Sequence, residues 1–230
     1  MSATRVLVVD DEPQIQRFLK PALEASGYAV VSAATAAEAL RAIANEAPDI
    51  VLLDLGLPDM DGKEVIARAR AFSKVPIIVL SVRDRESEKI AALDLGADDY
   101  VEKPFDIGEL MARLRAALRH AIADAGESGA FESGGLLVDT VRRMVSRNGQ
   151  PLKLTPKEYD LLTMLVRNAG RVVTHRQLLT AVWGPAHTED TQYLRVFVAQ
   201  LRQKIDAAPG APSIIVNEPG IGYRLLERDR

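Results

Sequence analysis

Residues 50–61 read IVLLDLGLPDMD. Four consecutive apolar residues run directly into Asp54, and the Pro58-Asp59 and Asp61-Gly62 pairs that follow are turn signals. Asp54 is therefore predicted at the carboxyl end of a buried strand, at the edge where open α/β sheets bind ligands. A carboxylate in that position is a ligand, an acid–base group, a nucleophile or a solvated loop residue.

The same pattern recurs throughout residues 1–120. Apolar runs of strand length alternate with segments of helical periodicity. The strands are predicted at 5–9, 29–33, 50–53, 76–80 and 99–102, and the helices at about 15–23, 36–45, 63–72, 86–95 and 107–120. Because short βα repeats build parallel sheets with right-handed crossovers, residues 1–120 are predicted to form a five-stranded doubly wound α/β domain.

A linker and a second domain are predicted to follow. Residues 121–135 are rich in alanine, glycine, serine and acidic residues, which is typical of a linker. Residues 136–230 read as an α+β domain, in which short alternating strands precede three helices and a terminal hairpin. Thr155 and Glu158 have the spacing of a capping box, and Thr174 is predicted to cap the second helix.

The third of these helices, about residues 191–205, is amphipathic. Leu194, Val198, Leu201 and Ile205 fall on one buried stripe. The opposite side carries amide and guanidinium groups, which can read base edges or bind phosphates. The pattern suits a winged helix-turn-helix with this helix in the DNA major groove, or a helix with a merely solvated polar face.

Composition limits the possible functions. The chain has 230 residues, 47% hydrophobic and 27% charged, which is typical of a soluble protein of two domains. No cysteine is present, so disulfides and thiolate metal sites are excluded. No signal-peptide core and no apolar stretch near ~18 residues occurs, so a cytoplasmic protein without a membrane partner is expected. Residues 1–120 carry 15 basic against 20 acidic residues, or -5, and residues 121–230 carry 14 against 12, or +2.

Polar groups at four strand ends are predicted to converge. Asp10, Asp11, Asp54, Ser81 and Lys103 each follow an apolar run, and in a parallel sheet those ends share one edge. Carboxylate oxygens without cysteine or a histidine pair favour a hard ion such as Mg²⁺. A carboxylate can also accept a phosphoryl group whose charge a cation and a lysine offset. Taken singly, each residue could instead be a helix cap or a solvated charge.

The motifs DDEP at Asp10, DLGLPDMDG around Asp54 and GADDYVEKPF from Gly96 resemble the receiver domain of bacterial two-component response regulators. The resemblance implies that Asp54 accepts a phosphoryl group from a sensor histidine kinase. It implies that Asp10, Asp11 and Asp54 hold Mg²⁺ with help from the Gly56 carbonyl, and that Lys103 pairs with the phosphoryl group. It also implies a switch in which Ser81 moves toward the phosphate and Tyr100 turns inward.

The motifs LTPKEYDLL, NAGRVVTHRQLL, VWG and GIGYR resemble the winged-helix effector domain of the OmpR/PhoB class, with four strands before the helices. The partners implied are double-stranded promoter DNA and RNA polymerase. The residues implied to face bases are Gln192, Tyr193, Val196 and Gln200, and those implied to face phosphates are Arg195, Arg202, Lys204 and Arg224. Several segments, among them SEKIAALDLGADDY and QLLTAVWG, resemble regulators of a potassium-uptake operon.

The resemblance also implies a homodimer when the chain is phosphorylated. Its charge pairs would be Lys89 with Glu109 and Asp99 with Arg113, while the position of a basic partner for Asp98 falls at His120, next to Arg119. The terminal hairpin is the wing of this domain class, and it carries Pro219 where several relatives have arginine. A smaller contribution of the wing to DNA specificity is therefore predicted.

Two rival functions are left open by the sequence. One is an aspartyl-phosphate hydrolase, although such enzymes place a second acid two residues after the nucleophile, where Gly56 stands. The other makes the second domain a protein-binding module. The favoured interpretation is a phosphorylation-activated transcription regulator that is not an enzyme.

Overall fold

The structure, a computed structural model, describes residues 3–82, 86–125, 130–206 and 212–227. The chain divides into two compact units, residues 1–122 and 123–230. Within the described ranges, no helix is both long enough and apolar enough to cross a membrane.

The first unit is a five-stranded parallel sheet flanked by helices, as predicted. Its strands are β1 (Arg5–Val9), β2 (Ala29–Ala33), β3 (Ile50–Asp54), β4 (Ile77–Val82) and β5 (Asp99–Lys103), and its helices are α1 (Pro13–Ala25), α2 (Ala36–Glu46), α3 (Gly62–Arg70), α4 (Glu86–Asp94) and α5 (Ile107–Ala125). The spatial order is β2-β1-β3-β4-β5, with every neighbouring pair parallel. The order reverses between β1 and β3, so the strands that lead into Asp10 and Asp54 lie side by side at the switch point.

Both faces of this sheet are covered. Val6 and Val8 of β1 pack with Leu19 of α1 and Leu110 of α5 in one hydrophobic cluster. Leu7, on the other face of the same strand, is also fully buried. A sheet buried on both faces explains why the strands read as continuous apolar runs rather than alternating ones.

Several boundaries of the first unit differ from the prediction, among them those of β4, α3 and α5. Strand β4 continues through Ser81 to Val82, so Ser81 lies within the strand rather than after it. Helix α3 ends at Arg70, and Phe72 beyond it is exposed. Helix α5 runs to Ala125, five residues into the predicted linker, because alanine-rich sequence with apolar spacing continues past His120.

The second unit contains two antiparallel sheets and three main helices. A four-stranded sheet has the order β6 (Ala130–Ser133), β7 (Leu136–Asp139), β8 (Met144–Arg147) and β9 (Gln150–Pro151), and helices α6 (Pro156–Arg167), α7 (His175–Trp183) and α8 (Thr191–Ile205) follow. A short sheet orders β10 (Val172–Thr174), β12 (Gly222–Leu225) and β11 (Ile215–Glu218), and a 3-10 turn covers Pro185–His187.

Local sequence signals set these helices. Both predicted caps are confirmed as capping boxes, Thr155 with Glu158 and Thr174 with Gln177. The stripe of α8 is also confirmed, since Leu194, Val198, Leu201 and Ile205 are at most 1% exposed and join the core of the unit.

Two strands of the second unit were not predicted. Strand β6 lies inside the predicted linker, where Phe131 packs against the core of the unit. Strand β10 is only three residues long, too short for an alternating pattern, and it forms by pairing with β12. Gly222 permits that pairing, because a Cβ there would lie 2.0 Å from the Val173 carbonyl oxygen.

Candidate functional site

The carboxyl edge of the parallel sheet brings three charged side chains together. The Lys103 ammonium donates to Asp10 Oδ2 and to Asp54 Oδ1, each at 2.8 Å. Asp10 follows β1 and Asp54 ends β3, and these two strands are neighbours in the sheet; Lys103 ends β5, which is separated from β3 by β4. The side chain of Asp10 is fully buried, while those of Asp54 and Lys103 are each 13% exposed. The predicted convergence of Asp10, Asp54 and Lys103 is therefore observed.

The electrostatics of this cluster follow from its burial. Burial raises the pKa of Asp10, although hydrogen bonds from Lys103 and from the Glu12 amide oppose the shift. Burial also disfavours the charged form of Lys103, but hydrogen bonds and charges from Asp10 and Asp54 outweigh it and raise the pKa of the ammonium. Lys103 is thus a firmly cationic group beside Asp54.

The loop after β3 holds the second oxygen of Asp54. The Gly56 amide donates to Asp54 Oδ2 at 2.8 Å, so both carboxylate oxygens are oriented. Helix α3 begins against this loop at Gly62, where a Cβ would lie 2.6 Å from the Asp54 carbonyl oxygen and 2.7 Å from the Leu55 Cα. Asp61 caps α3 by accepting from the Lys63 amide at 2.8 Å.

Asp59 ties the same loop to a neighbouring helix. Its carboxylate accepts from the Ala36 and Ala37 amides at 2.8 and 3.0 Å, at the N-terminus of α2. Hydrogen bonds from those amides lower the pKa of Asp59. The sequence marked Asp59 only as a turn residue, because a partner 23 residues away leaves no local signal.

The two predicted switch residues lie in the strands beside β3. Ser81 is 3% exposed in β4, the strand that pairs with β3. Tyr100 in β5 is 6% exposed, so it is already buried. Two cations flank its ring, with Lys89 Nζ 5.3 Å and the Arg113 guanidinium carbon 5.9 Å from the ring centre.

The third predicted carboxylate is not gathered into this cluster. Asp11 is exposed, and among the described residues no three acidic, histidine or cysteine side chains are placed to hold a metal together. The donors that do converge, the carboxylates of Asp10 and Asp54, are hard oxygen ligands and fit Mg²⁺ in chemistry. Lys103 bridges both of them.

The predicted dimer-face charges pair within one chain. Lys89 donates to Glu102 at 2.6 Å. Arg113 contacts Asp99 at 3.1 Å and Glu109 at 2.7 Å. The pairs between two chains stay predictions, and the side chain of His120 lies outside the described part of the structure.

The predicted place of Asp98 on the dimer face stays a prediction, and within the chain this residue has partners that the sequence did not indicate. Its carboxylate accepts from Arg70 at 2.9 Å and from the Ile77 amide at 2.8 Å. Arg70 also donates to the carbonyls of Gly96 and Val75, at 2.9 and 2.7 Å. Asp98 therefore fastens the end of α3 to the start of β4, a role that the sequence did not reveal because its partner is 28 residues away.

Helix α8 presents most of its predicted base-facing residues to solvent. Gln192, Arg195 and Gln200 are exposed, and Tyr193 and Val196 are 50% and 52% exposed. One edge of the Tyr193 ring packs near Trp183 and Phe197, with ring centres 5.6 and 4.9 Å away. Five of the predicted DNA-facing side chains thus lie on an accessible surface.

The other three predicted phosphate contacts stay predictions, and each of these side chains has a partner inside the second unit. Arg202 donates to the Ile215 carbonyl at 3.1 and 2.7 Å. Lys204 donates to the buried Glu158 carboxylate at 2.6 Å. Arg224, whose side chain is 8% exposed, donates to Glu218 at 2.8 Å and to the Gly170 carbonyl.

Comparison with known proteins gives matches over both units. Residues 6–115 match the response regulator receiver domain family, and residues 149–225 match the family described as transcriptional regulatory protein, C terminal. The KDP operon transcriptional regulatory protein KdpE of Escherichia coli (strain K12) is 49% identical over 223 residues, covering 97% of this chain and 99% of the relative.

Two further relatives extend the comparison. The transcriptional regulatory protein KdpE of Mycobacterium tuberculosis (strain ATCC 25618 / H37Rv) is also 49% identical, covering 96% of this chain and 99% of the relative. Among solved structures, the response regulator DrrB of Thermotoga maritima, an OmpR/PhoB homolog, is 28% identical with a TM-score of 0.50, covering 98% of this chain and 100% of that one.

Proposed function

Since this chain belongs to the OmpR/PhoB class of two-component response regulators, and so is a phosphorylation-activated transcription regulator, we propose that Asp54 is its phosphoryl acceptor. One observation carries the proposal. Asp54 ends β3 at the switch point of the sheet, with one carboxylate oxygen bound by Lys103 and the other by the Gly56 amide. Its carboxylate is partly exposed and so can be reached by a donor.

The proposed chemistry is a transfer from a sensor histidine kinase. An oxygen of Asp54 attacks phosphorus, and the bond from phosphorus to the kinase histidine breaks, which leaves the imidazole neutral after it takes up a proton. Lys103 then offsets charge on the phosphoryl oxygens, because it already lies 2.8 Å from the acceptor. Ser81, buried in the strand beside β3, is proposed to donate its hydroxyl to the new phosphoryl group.

We propose Mg²⁺ as the cofactor of this transfer. Asp10, Asp11, Asp54 and the Gly56 carbonyl would hold it, which requires Asp11 to turn toward Asp10 and Asp54. When bound, the ion offsets negative charge on the phosphoryl oxygens.

The chain is proposed to retain the phosphoryl group rather than to turn over substrate. A hydrolase of this type needs an acid two residues after the nucleophile to protonate the leaving group, and Gly56 offers only its backbone there. Uptake from small donors and slow loss to water are the only self-catalysed steps proposed.

The proposed output is a dimer bound to promoter DNA. The second unit carries only +2 by residue count, so one copy should hold DNA weakly, and joining two copies raises the effective concentration of the second winged helix. Lys89, Asp99, Glu109 and Arg113 would exchange their present partners for those of a second chain. RNA polymerase is the proposed partner at the promoter.

The proposed targets are the genes of a potassium-uptake operon. Two KdpE proteins, from Escherichia coli and Mycobacterium tuberculosis, are each 49% identical to this chain over nearly their full lengths. The aligned region spans both the receiver unit and the DNA-binding unit, so the phosphoryl-accepting site and the DNA-reading helix are both included in the comparison.

The proposal is tested with an acid-to-amide change at the acceptor. Wild type incubated with Mg²⁺ and acetyl phosphate should gain the mass of one phosphoryl group, sediment as a dimer and bind promoter DNA more tightly. Asp54→Asn should do none of these. The matched control is Asp61→Asn, in the same loop, because asparagine keeps the cap on α3. If Asp54→Asn still gains mass and dimerises, Asp54 is not the acceptor.

A further inference from the structure

The outward face of α8 has an unusual set of side chains for a DNA-reading helix. Opposite the buried stripe lie three carboxamides and two small apolar residues, all exposed: Gln192, Val196, Ala199, Gln200 and Gln203. Val196 is 52% exposed, although valine is normally buried. Among the described residues, none of the three carboxamides has a hydrogen-bond partner.

Helical geometry places three of these five side chains on one line along the helix. Gln192, Val196 and Gln200 are spaced four residues apart, so they follow each other along the helix at about 6 Å intervals. The cations of the helix lie elsewhere. Arg195 projects from the flank of this face, and Arg202 and Lys204 are bound to Ile215 and Glu158. Within α8, whose residues are all described, no guanidinium or ammonium group stands on the outward face.

The chemistry of this face matches one kind of base pair. A glutamine carboxamide can donate to N7 and accept from N6 of adenine, and a valine methyl can pack against the thymine methyl. The common reader of guanine is a bidentate arginine or lysine, and cytosine is read by a carboxylate. Neither type of group is present on the outward face.

We infer that α8 reads A·T base pairs, with Gln192 and Gln200 on adenines and Val196 on a thymine methyl between them. The inference rests on the proposed function, because it requires α8 to enter the major groove. The line from Gln192 to Gln200 is about 12 Å long, and base pairs stack about every 3.4 Å, so each half-site core would cover about four base pairs.

The first experiment selects the binding sequence without prior assumption. Random duplex DNA is bound to phosphorylated full-length chain at fixed salt, and the enriched half-sites are sequenced. The expected motif has a core of about four A·T pairs. A G·C pair placed at a glutamine-read position should cost roughly 5- to 150-fold in affinity.

The second experiment tests Val196 directly. Replacing a core thymine by deoxyuridine removes only the methyl group, and affinity should fall about fourfold for wild type. Val196→Ala should bind thymine and deoxyuridine duplexes equally, because it cannot reach that methyl. The substitution is at an exposed helical position, so folding should be unaffected.

Arg195→Ala is the matched control from the flank of the same helix. It should weaken binding to all sequences and leave the selected motif unchanged, since a phosphate contact carries no sequence information. A selected core of G·C pairs, or undiminished thymine discrimination by Val196→Ala, overturns the inference while DNA binding itself stands. Failure to bind any duplex when phosphorylated overturns the proposed function as well.

Discussion

Replacing Arg202 by alanine should destabilise the second unit without removing a DNA contact. The guanidinium donates through Nε and Nη2 to the Ile215 carbonyl at 3.1 and 2.7 Å, and its central carbon lies 5.8 Å from the centre of the Tyr223 ring. Because Ile215 opens β11 and Tyr223 is in β12, this one side chain fixes the last turns of α8 to the wing hairpin.

The magnitude follows from those contacts. Hydrogen bonds from a charged donor stabilise by about 1.5–3 kcal/mol, and a cation over an aromatic ring adds about 0.5–1 kcal/mol. Arg202 is half-buried, so solvent screening places the sum near its lower end, at about 2 kcal/mol. A loss of that size should lower the Tm of a unit of this length by on the order of 10 °C.

The chain contains one tryptophan, Trp183, which lies in the second unit and reports on its unfolding alone. Fluorescence-detected urea unfolding of the full chain should show Arg202→Ala unfolding at lower urea. The slope of log affinity against log salt for DNA should match wild type, measured where the variant is folded. Arg195→Ala should show the reverse, with stability within about 0.5 kcal/mol of wild type and a slope reduced by about 0.9. If Arg202→Ala keeps wild-type stability but shows a reduced salt slope, Arg202 contacts DNA phosphate and its proposed structural role is refuted.

Two further changes test the second unit. Burial opposes ionisation of Glu158, but hydrogen bonds from Lys204 and Thr155 prevail and lower its pKa below the ordinary 4.5, so its stabilising effect should be complete above pH ~4.5 and lost at lower pH. Urea unfolding at pH 7 and below pH 4 should therefore show a smaller acid-induced loss of stability for Glu158→Gln than for wild type, and equal losses would contradict this. Pro219 is exposed at the turn of the wing hairpin, so Pro219→Arg should raise DNA affinity and steepen its salt dependence; unchanged values would show that the wing tip does not approach DNA.

The elements of the first unit were predictable because their signals are local. Apolar runs, turn residues and caps each act over a few residues, and the carboxyl ends of parallel strands must share one edge. The meeting of Asp10, Asp54 and Lys103 therefore followed from strand order. Strand β10 was not predictable, because three residues carry no period and its ladder depends on a partner about 50 residues away.

The partners of the surface cations could not be predicted from the sequence. Periodicity shows which face of α8 is buried. It does not identify the groups that long side chains beside that face will contact in the folded protein. Arg202 and Lys204 reach β11 and α6, and Arg224 reaches the loop before β10, so each has a partner within the second unit. The partner of Asp98 was missed for the same reason, since Arg70 approaches it from another element of the fold.

The residues alone were enough to predict that residues 50–61 end a buried strand in an acid, that four more polar groups follow strands at the same edge, and that α8 has one apolar stripe. These features depend on local spacing and on the fixed geometry of strands and helices. The fold was needed to show that Lys103 bridges Asp10 and Asp54, that Asp11 lies outside this cluster, and that Arg202 and Lys204 bind Ile215 and Glu158. Those outcomes depend on distances between segments far apart in the chain, which hydrophobic pattern does not encode.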